Sequence, residues 1–331
     1  MVRGRHPLLI PALAVLVIVA AIASIGLGSV PLSPARIVAA LAGHGDPIAR
    51  TIVFELRLPR ALIGLLVGAI LGLSGAVLQG YLRNPLAEPS VLGTSSAASL
   101  GAVGAIYFGL AEWHVATLPL LAILGGLLSL VLVFVLAGRS ESPLTLILAG
   151  IAVMTLAIAG INLALNLSPN PFAAMEITTW LLGSLENRST EHVWIALPCV
   201  LIGGGLLLFD GRVLDALALG EDGARSLGFD LGKARLRILL GLGIGVGGAV
   251  AVSGSIGFIG LVVPHLVRPL TDRSPSAILL PSLLGGAALL TLADVLVRLI
   301  PTNAELKLGV VMAFLGVPIF LLHLLRERRL W

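Results

Sequence analysis

The chain has 331 residues, 57% of them hydrophobic and 11% charged, with a formal net charge of +4 and a mean hydropathy of +1.07. A soluble domain carries about 25% charged residues, so lipid rather than water must be the main solvent here. The basic residues sit between apolar runs, which speaks for membrane topology and against nucleic acid. A single cysteine, Cys199, excludes an intramolecular disulfide framework and any multi-cysteine metal site.

Arg3, Arg5 and His6 precede an uncharged run from Pro7 to Pro34. Ala21-Ile22-Ala23 looks like a cleavage site, but a signal peptide's apolar core is only about 7–15 residues long. The run is therefore expected to be a retained first transmembrane helix. Next come Arg57-Leu58-Pro59-Arg60, about twenty residues without a charge, and the polar turn Arg83-Asn84-Pro85-Leu86-Ala87-Glu88-Pro89. A bilayer span needs roughly 20 apolar residues, so this segment reads as one span with a specific loop at each mouth.

Further runs complete an all-α polytopic membrane protein, one domain over 1–331. The expected spans lie near 8–30, 61–80, 91–109, 115–137, 143–166, 193–209, 236–252, 257–268, 276–298 and 307–325. The run 238–264 is the ambiguous one. It has no charge, yet Ser253-Gly254-Ser255 and the glycines at 257 and 260 interrupt it, and such breaks are tolerated where buried in protein. Read as two helices, with a short eighth, it gives ten spans and both termini in the cytoplasm. Arg268, Arg273, Arg326, Arg328 and Arg329 then lie inside, against Arg298 and Lys307 outside; read as one helix, these sides invert. On the ten-span topology Arg36, Arg50, Arg57 and Arg60 fall on the outer side, against the usual bias. Local pairing with Asp46 and Glu55, lipid phosphate, or docking of an acidic partner would each explain them.

Few ionisable groups lie within the spans. Asp294 and Arg298 have the i,i+4 spacing of a local pair. Asn162 and Asn166 share one helix face, for interhelical hydrogen bonding or for a polar pathway. His265 has no second ligand at metal spacing, so a structural hydrogen bond is expected. An ion-coupled transporter needs embedded titratable relays, and none is evident. There is no Gly-x-Ser-x-Gly, no His-Glu-x-x-His and no phosphate-binding Gly-x-x-x-x-Gly-Lys-Ser/Thr. Energy for active transport must then come from another chain. In the longest internal loop, 210–237, Leu217 to Gly228 has the marks of a short helix: Glu221 and Asp222 suit the first turn, and Gly228 suits a left-handed cap. Either a surface helix or a contact to a cytoplasmic motor fits it. Leu66-Val67-Gly68 … Leu73-Ser74-Gly75 and Leu242-Gly243 … Val252-Ser253-Gly254 form a faint internal repeat, equally explained by glycine-rich coincidence.

Four segments together resemble the FecCD-type (type II) permeases of ABC importers for iron–siderophores, haem and cobalamin. They are Arg57-Leu58-Pro59-Arg60 with Gly68, Ser74-Gly75 and Gln79; Arg83 to Pro89 with Leu92-Gly93; Ala218-Leu219-Gly220 with Ala224 and Leu227-Gly228; and Gly257 to Arg268. The resemblance covers essentially the whole chain. It implies ten helices per subunit, a homodimer with a second permease copy, two cytoplasmic ATPase subunits that bind the ATP and magnesium, and an extracytoplasmic substrate-binding protein. This chain itself then needs no cofactor and no metal, and lies in a bacterial inner membrane. The resemblance further implies docking of the binding protein at Arg57, Arg60 and Arg298. It implies a cytoplasmic gate at Asn84, Leu86, Ser142 and Pro143, and ATPase coupling through 214–228, at Leu219, Gly220, Glu221, Ala224, Leu227 and Gly228. Asn162 and Asn166 are the pathway candidates. The expected function is alternating-access import of an iron–siderophore-type chelate, with a cobalamin or haem permease as the alternative within the family. Outside the family the alternatives are a stand-alone secondary transporter and a membrane scaffold.

Overall fold

The computed structural model describes residues 7–28, 30–44, 46–138, 143–302 and 304–327. Among them every regular element is helical. In hydrocarbon the backbone must satisfy its own hydrogen bonds, which leaves a chain this apolar little alternative. The helices are α1 (Leu9–Gly26), α2 (Pro34–Leu41), α3 (Pro47–Tyr81), α4 (Thr94–Tyr107), α5 (Thr117–Ala137), α6 (Pro143–Asn166), α7 (Pro171–Leu181), α8 (Thr190–Phe209), α9 (Gly211–Leu217), α10 (Glu221–Ser226), α11 (Leu231–Ser253), α12 (Ile259–Val267), α13 (Pro275–Leu299) and α14 (Leu308–Glu327). Several starts are written locally. The Asp46, Asn170 and Asp230 side chains accept the amides of Ala49, Ala173 and Lys233, and Ser189 with His192 forms a capping box. Pro34, Pro47, Pro171 and Pro275 occupy first-turn positions, where a missing N–H costs nothing.

Seven of the described helices are long and apolar enough to cross a membrane: α1, α3, α5, α6, α8, α11 and α13. Shorter apolar helices span Ile259–Leu270 and Leu308–Ile319. The helix α4, in the expected span 91–109, has 14 residues. Two elements depart from the sequence reading. The helix α3 begins at Pro47, not near 61, and the stretch between the expected spans 143–166 and 193–209 contains α7. The early start of α3 follows from a π turn at Ile52–Arg57. Pro59 would drive its ring into the Glu55 carbonyl in a regular helix, and the wider turn just before it absorbs the clash.

The helices α3 and α11 form the centre: 83% and 78% of their apolar windows are buried, against 11% for α1 and 33% for α5, α6 and α8. The outer helices leave most of their apolar windows exposed. The centre is held by close backbone approach. A methyl group added at Gly68 would strike the Gly286 carbonyl of α13, and one at Gly75 would strike the Gly260 carbonyl of α12. Small residues at a crossing let dispersion between backbones replace the missing hydrophobic drive. The helix α11 ends at Ser253, and α12 starts at Ile259 after a turn with positive φ at Gly254 and Phe258. This is the break that Ser253-Gly254-Ser255 suggested.

Candidate functional site

Arg57 and Gln79 of α3 are separated by about 33 Å at 1.5 Å per residue. That is close to the thickness of a hydrocarbon core, about 30 Å. Chemistry-bearing side chains gather at each end.

At the Arg57 end three arginines converge. Arg57 is 5% exposed, and its Nη1 donates to the carbonyls of Ile25 (2.8 Å) and Gly26 (2.9 Å) and its Nη2 to that of Val30 (2.5 Å). Arg298 donates to the carbonyls of Ser24 (3.1 Å) and Leu27 (3.0 Å) and to Ser24 Oγ (2.8 Å). The Leu27 amide takes the Ala23 carbonyl. The last four carbonyls of α1, which a helix end leaves orphaned, therefore all have donors. The two positive charges also complement the negative end of the α1 dipole. Arg60 donates from Nε and Nη2 to Asp294, at 2.8–3.1 Å, and from both terminal nitrogens to Glu305. Asp294, 1% exposed, pairs also with Arg298 at 3.1 Å, the i,i+4 contact that its spacing suggested. Nearby, Arg36 pairs with Asp46 at 2.6 Å on the exposed surface. The Asp46 carboxyl is held below the usual carboxylate range by the Ala49 amide first and by Arg36 second. A cavity of about 220 Å³ opens beside the arginines, lined by Leu56, Arg57, Arg60, Arg188, Arg298 and Glu305 among others.

At the Gln79 end, Arg268 donates to Gln79 Oε1 at 2.7 Å, and Gln79 Nε2 donates to the Gly260 carbonyl at 3.3 Å. His265 Nε2 lies 2.8 Å from the Pro85 carbonyl, a structural hydrogen bond. The short helix α12 is thereby tied to the C-terminal turn of α3. Within that turn the Asn84 side chain accepts the Leu86 amide at 2.9 Å, and Leu86 is exposed. Arg83, at φ 50°, approaches Glu221 of α10 at 4.0 Å. One ion pair so connects the expected gate turn to the expected coupling segment. Ser142 lies outside the described residues, and Pro143 opens α6.

Around α10, Gly220 has φ +94° and Gly228 φ +84°, so left-handed turns bracket the helix. Glu221 and Asp222 occupy its first turn, as their positions suggested. Ala224 is fully buried, whereas Leu219 and Leu227 are 72% and 61% exposed. The leucines, not the small residues, are the ones offered outward. Asn162 and Asn166 sit on the exposed side of α6, where among the described residues neither side chain makes a hydrogen bond.

Sequence reasoning missed the partnership of Arg60 with Asp294 and Glu305, because nothing local links residues 234 and 245 positions apart. It likewise missed the Gln79–Arg268 and Arg83–Glu221 contacts. Their only signal was a glutamine and arginines at the ends of apolar runs.

The FecCD transport family model matches residues 16–326. Over 277 residues the chain is 41% identical to the Fe(3+) dicitrate transport system permease protein FecD of Escherichia coli (strain K12), covering 84% of this chain and 86% of the relative. Over 280 residues it is 40% identical to the vitamin B12 import system permease protein BtuC of Salmonella typhi, covering 84% of each. A solved inward-facing structure assigned to the metal-chelate type of ABC transporter is 34% identical, covers 95% of this chain and 98% of that one, and superposes with a TM-score of 0.86.

Proposed function

The chain belongs to the FecCD transport family, and on that premise we propose that it is the membrane-spanning subunit of an ATP-driven importer of an iron–siderophore-type chelate. The observation that carries this reading is the match along nearly the whole chain, in sequence and in fold, to permeases of such transporters. The proposed assembly has ten spans per subunit, a second permease copy, two ATPase subunits and an extracytoplasmic binding protein, in a bacterial inner membrane with both termini inside. ATP and magnesium belong to the ATPase subunits. The Arg57 end faces outward and receives the binding protein. Because the guanidinium groups of Arg57, Arg60 and Arg298 are already bonded within the chain, they serve docking by fixing the shape and field of that face. The Gln79 end faces the cytoplasm. Movement of the ATPases reaches α10 through Leu219, Gly220, Glu221, Ala224, Leu227 and Gly228, and passes by Glu221 and Arg83 to the gate at Asn84, Leu86, Ser142 and Pro143. The exposed face of α6, with Asn162 and Asn166, faces the pathway between the two copies. Alternating access then moves the cargo with no chemistry in this chain.

A cobalamin permease is the second reading, favoured by the likeness to the vitamin B12 permease. Reconstitution with its partner ATPase and binding protein tests both. ATP-dependent uptake of a ferric chelate but not of cobalamin supports the first, and the reverse supports the second. Uptake without the ATPase would show a stand-alone transporter, and neither uptake nor ATPase stimulation would leave a scaffold.

A further inference from the structure

The turn between α7 and α8 carries one arginine with no partner. Among the described residues Arg188 makes no hydrogen bond and no ion pair, and its Nε is buried without an acceptor. Its neighbours are accounted for. Arg60 has Asp294 and Glu305, Arg298 has Asp294, Lys307 holds Glu186 at 2.9 Å, and Arg57 has the α1 carbonyls. Glu176 of α7, which also borders the second cavity, is exposed to solvent. Burial pushes the Arg188 guanidinium down, offset only partly by Glu186, yet a guanidinium stays charged in proteins.

The turn that presents Arg188 is rigid. The Ser184 amide donates to the Ser253 carbonyl at 2.8 Å, the Gly309 amide donates to the Gly183 carbonyl at 3.3 Å, and Leu185 is fully buried. Asn187 holds φ 56°, a left-handed position that asparagine tolerates. Two cavities meet at residues 186–188. One is the 220 Å³ space beside Arg57, and the other, of about 520 Å³, is bordered by Phe172, Thr179 and Trp180. The larger falls in the range of small-molecule sites, about 300–1,000 Å³. A partly desolvated cation with no ion-pair or hydrogen-bond partner is costly, and an incoming oxygen anion recovers that cost. The planar fork of arginine suits two oxygens at once.

We propose that Arg188, between these two cavities and beside Phe172 and Trp180, binds the anionic oxygens of the transported chelate as it enters, so that the cargo class is a negatively charged, oxygen-donor metal chelate. This rests on the importer reading, but its test needs neither ATPase nor binding protein. The full-length chain is purified in lipid nanodiscs, and binding of two radiolabelled probes is measured: ferric citrate, an anion, and ferrioxamine B, a cation. The wild type binds ferric citrate in preference to ferrioxamine B. Arg188→Gln weakens that binding at least tenfold and Arg188→Lys weakens it less, while the thermal midpoint of Arg188→Gln stays equal to or above the wild type. No binding of ferric citrate by the wild type, equal binding by Arg188→Gln, equal binding of both probes, or a lowered midpoint in Arg188→Gln would each overturn the assignment. Failure here with intact ATP-dependent uptake leaves the importer reading standing, whereas anion binding without any ATP-dependent uptake separates the two the other way.

Discussion

Arg60 of α3 and Asp294 of α13 stand 2.8 Å apart although 234 positions separate them in the chain, and the same carboxylate also holds Arg298. One buried charge thus closes the Arg57 end of the bundle by joining its central helix to the helix packed on it. Through Arg298 it reaches the C-terminus of α1 as well.

Removing that carboxylate leaves two guanidinium groups short of their counter-charge. Asp294→Asn is expected to destabilise the protein by about 3–5 kcal/mol, the usual loss when one partner of a buried pair is deleted. The double variant Arg60→Met/Asp294→Leu should recover part of this. Thermal unfolding in detergent, run as a double-mutant cycle, measures both; additive losses would mean that the two residues act independently.

Backbone contact at the centre makes a second prediction. Gly75→Ala forces α3 away from α12 and should cost on the order of 1–3 kcal/mol, as overpacking does. Gly205→Ala in α8 meets nothing within 4 Å and should leave the unfolding midpoint unchanged or slightly raised. Equal effects at the two sites would contradict the close crossing.

The proposed ATPase contact is tested best at the outward leucines. Leu219→Asp with Leu227→Asp should abolish co-purification with the ATPase while leaving the thermal midpoint of the permease within error. Ala224→Glu is a poorer probe, because Ala224 is fully buried and a charge there disrupts the loop itself. Full complex formation by the double leucine variant would remove α10 from the coupling role.

Docking is read by charge reversal. Arg57→Glu with Arg60→Glu should weaken binding-protein affinity and transport together, and should also lower stability, since the α1 carbonyls and Asp294 lose their donors. Arg36→Glu, on the exposed surface beside Asp46, should spare stability. Unchanged affinity in the double variant would leave the arginines a purely structural role.

Much of this molecule is legible residue by residue. Its apolar runs are about as long as a bilayer is thick, its caps and prolines start helices, and Ser253-Gly254-Ser255 stops one. Glu221, Asp222 and Gly228 lay out the short helix in the loop, and the spacing of Asp294 and Arg298 gives their pair. Such features are visible because their physics acts within a few residues: desolvation of a continuous stretch, one turn of helix, one left-handed residue. The helix α3 was the exception even at this range, since its early start depends on a π turn that offsets Pro59.

The tertiary structure alone decided what the arginines touch. Sequence placed Arg57, Arg60 and Arg298 together as one cluster, but not their commitment to the α1 carbonyls, Asp294 and Glu305. It showed nothing to set Arg188 apart from them. A buried charge takes whichever partner the packing brings within reach, and here packing joins segments more than two hundred residues apart. The composition of the chain determined that it lives in lipid. Which partner each buried charge takes, and that Arg188 makes no hydrogen bond or ion pair among the described residues, was settled only when the helices closed around them.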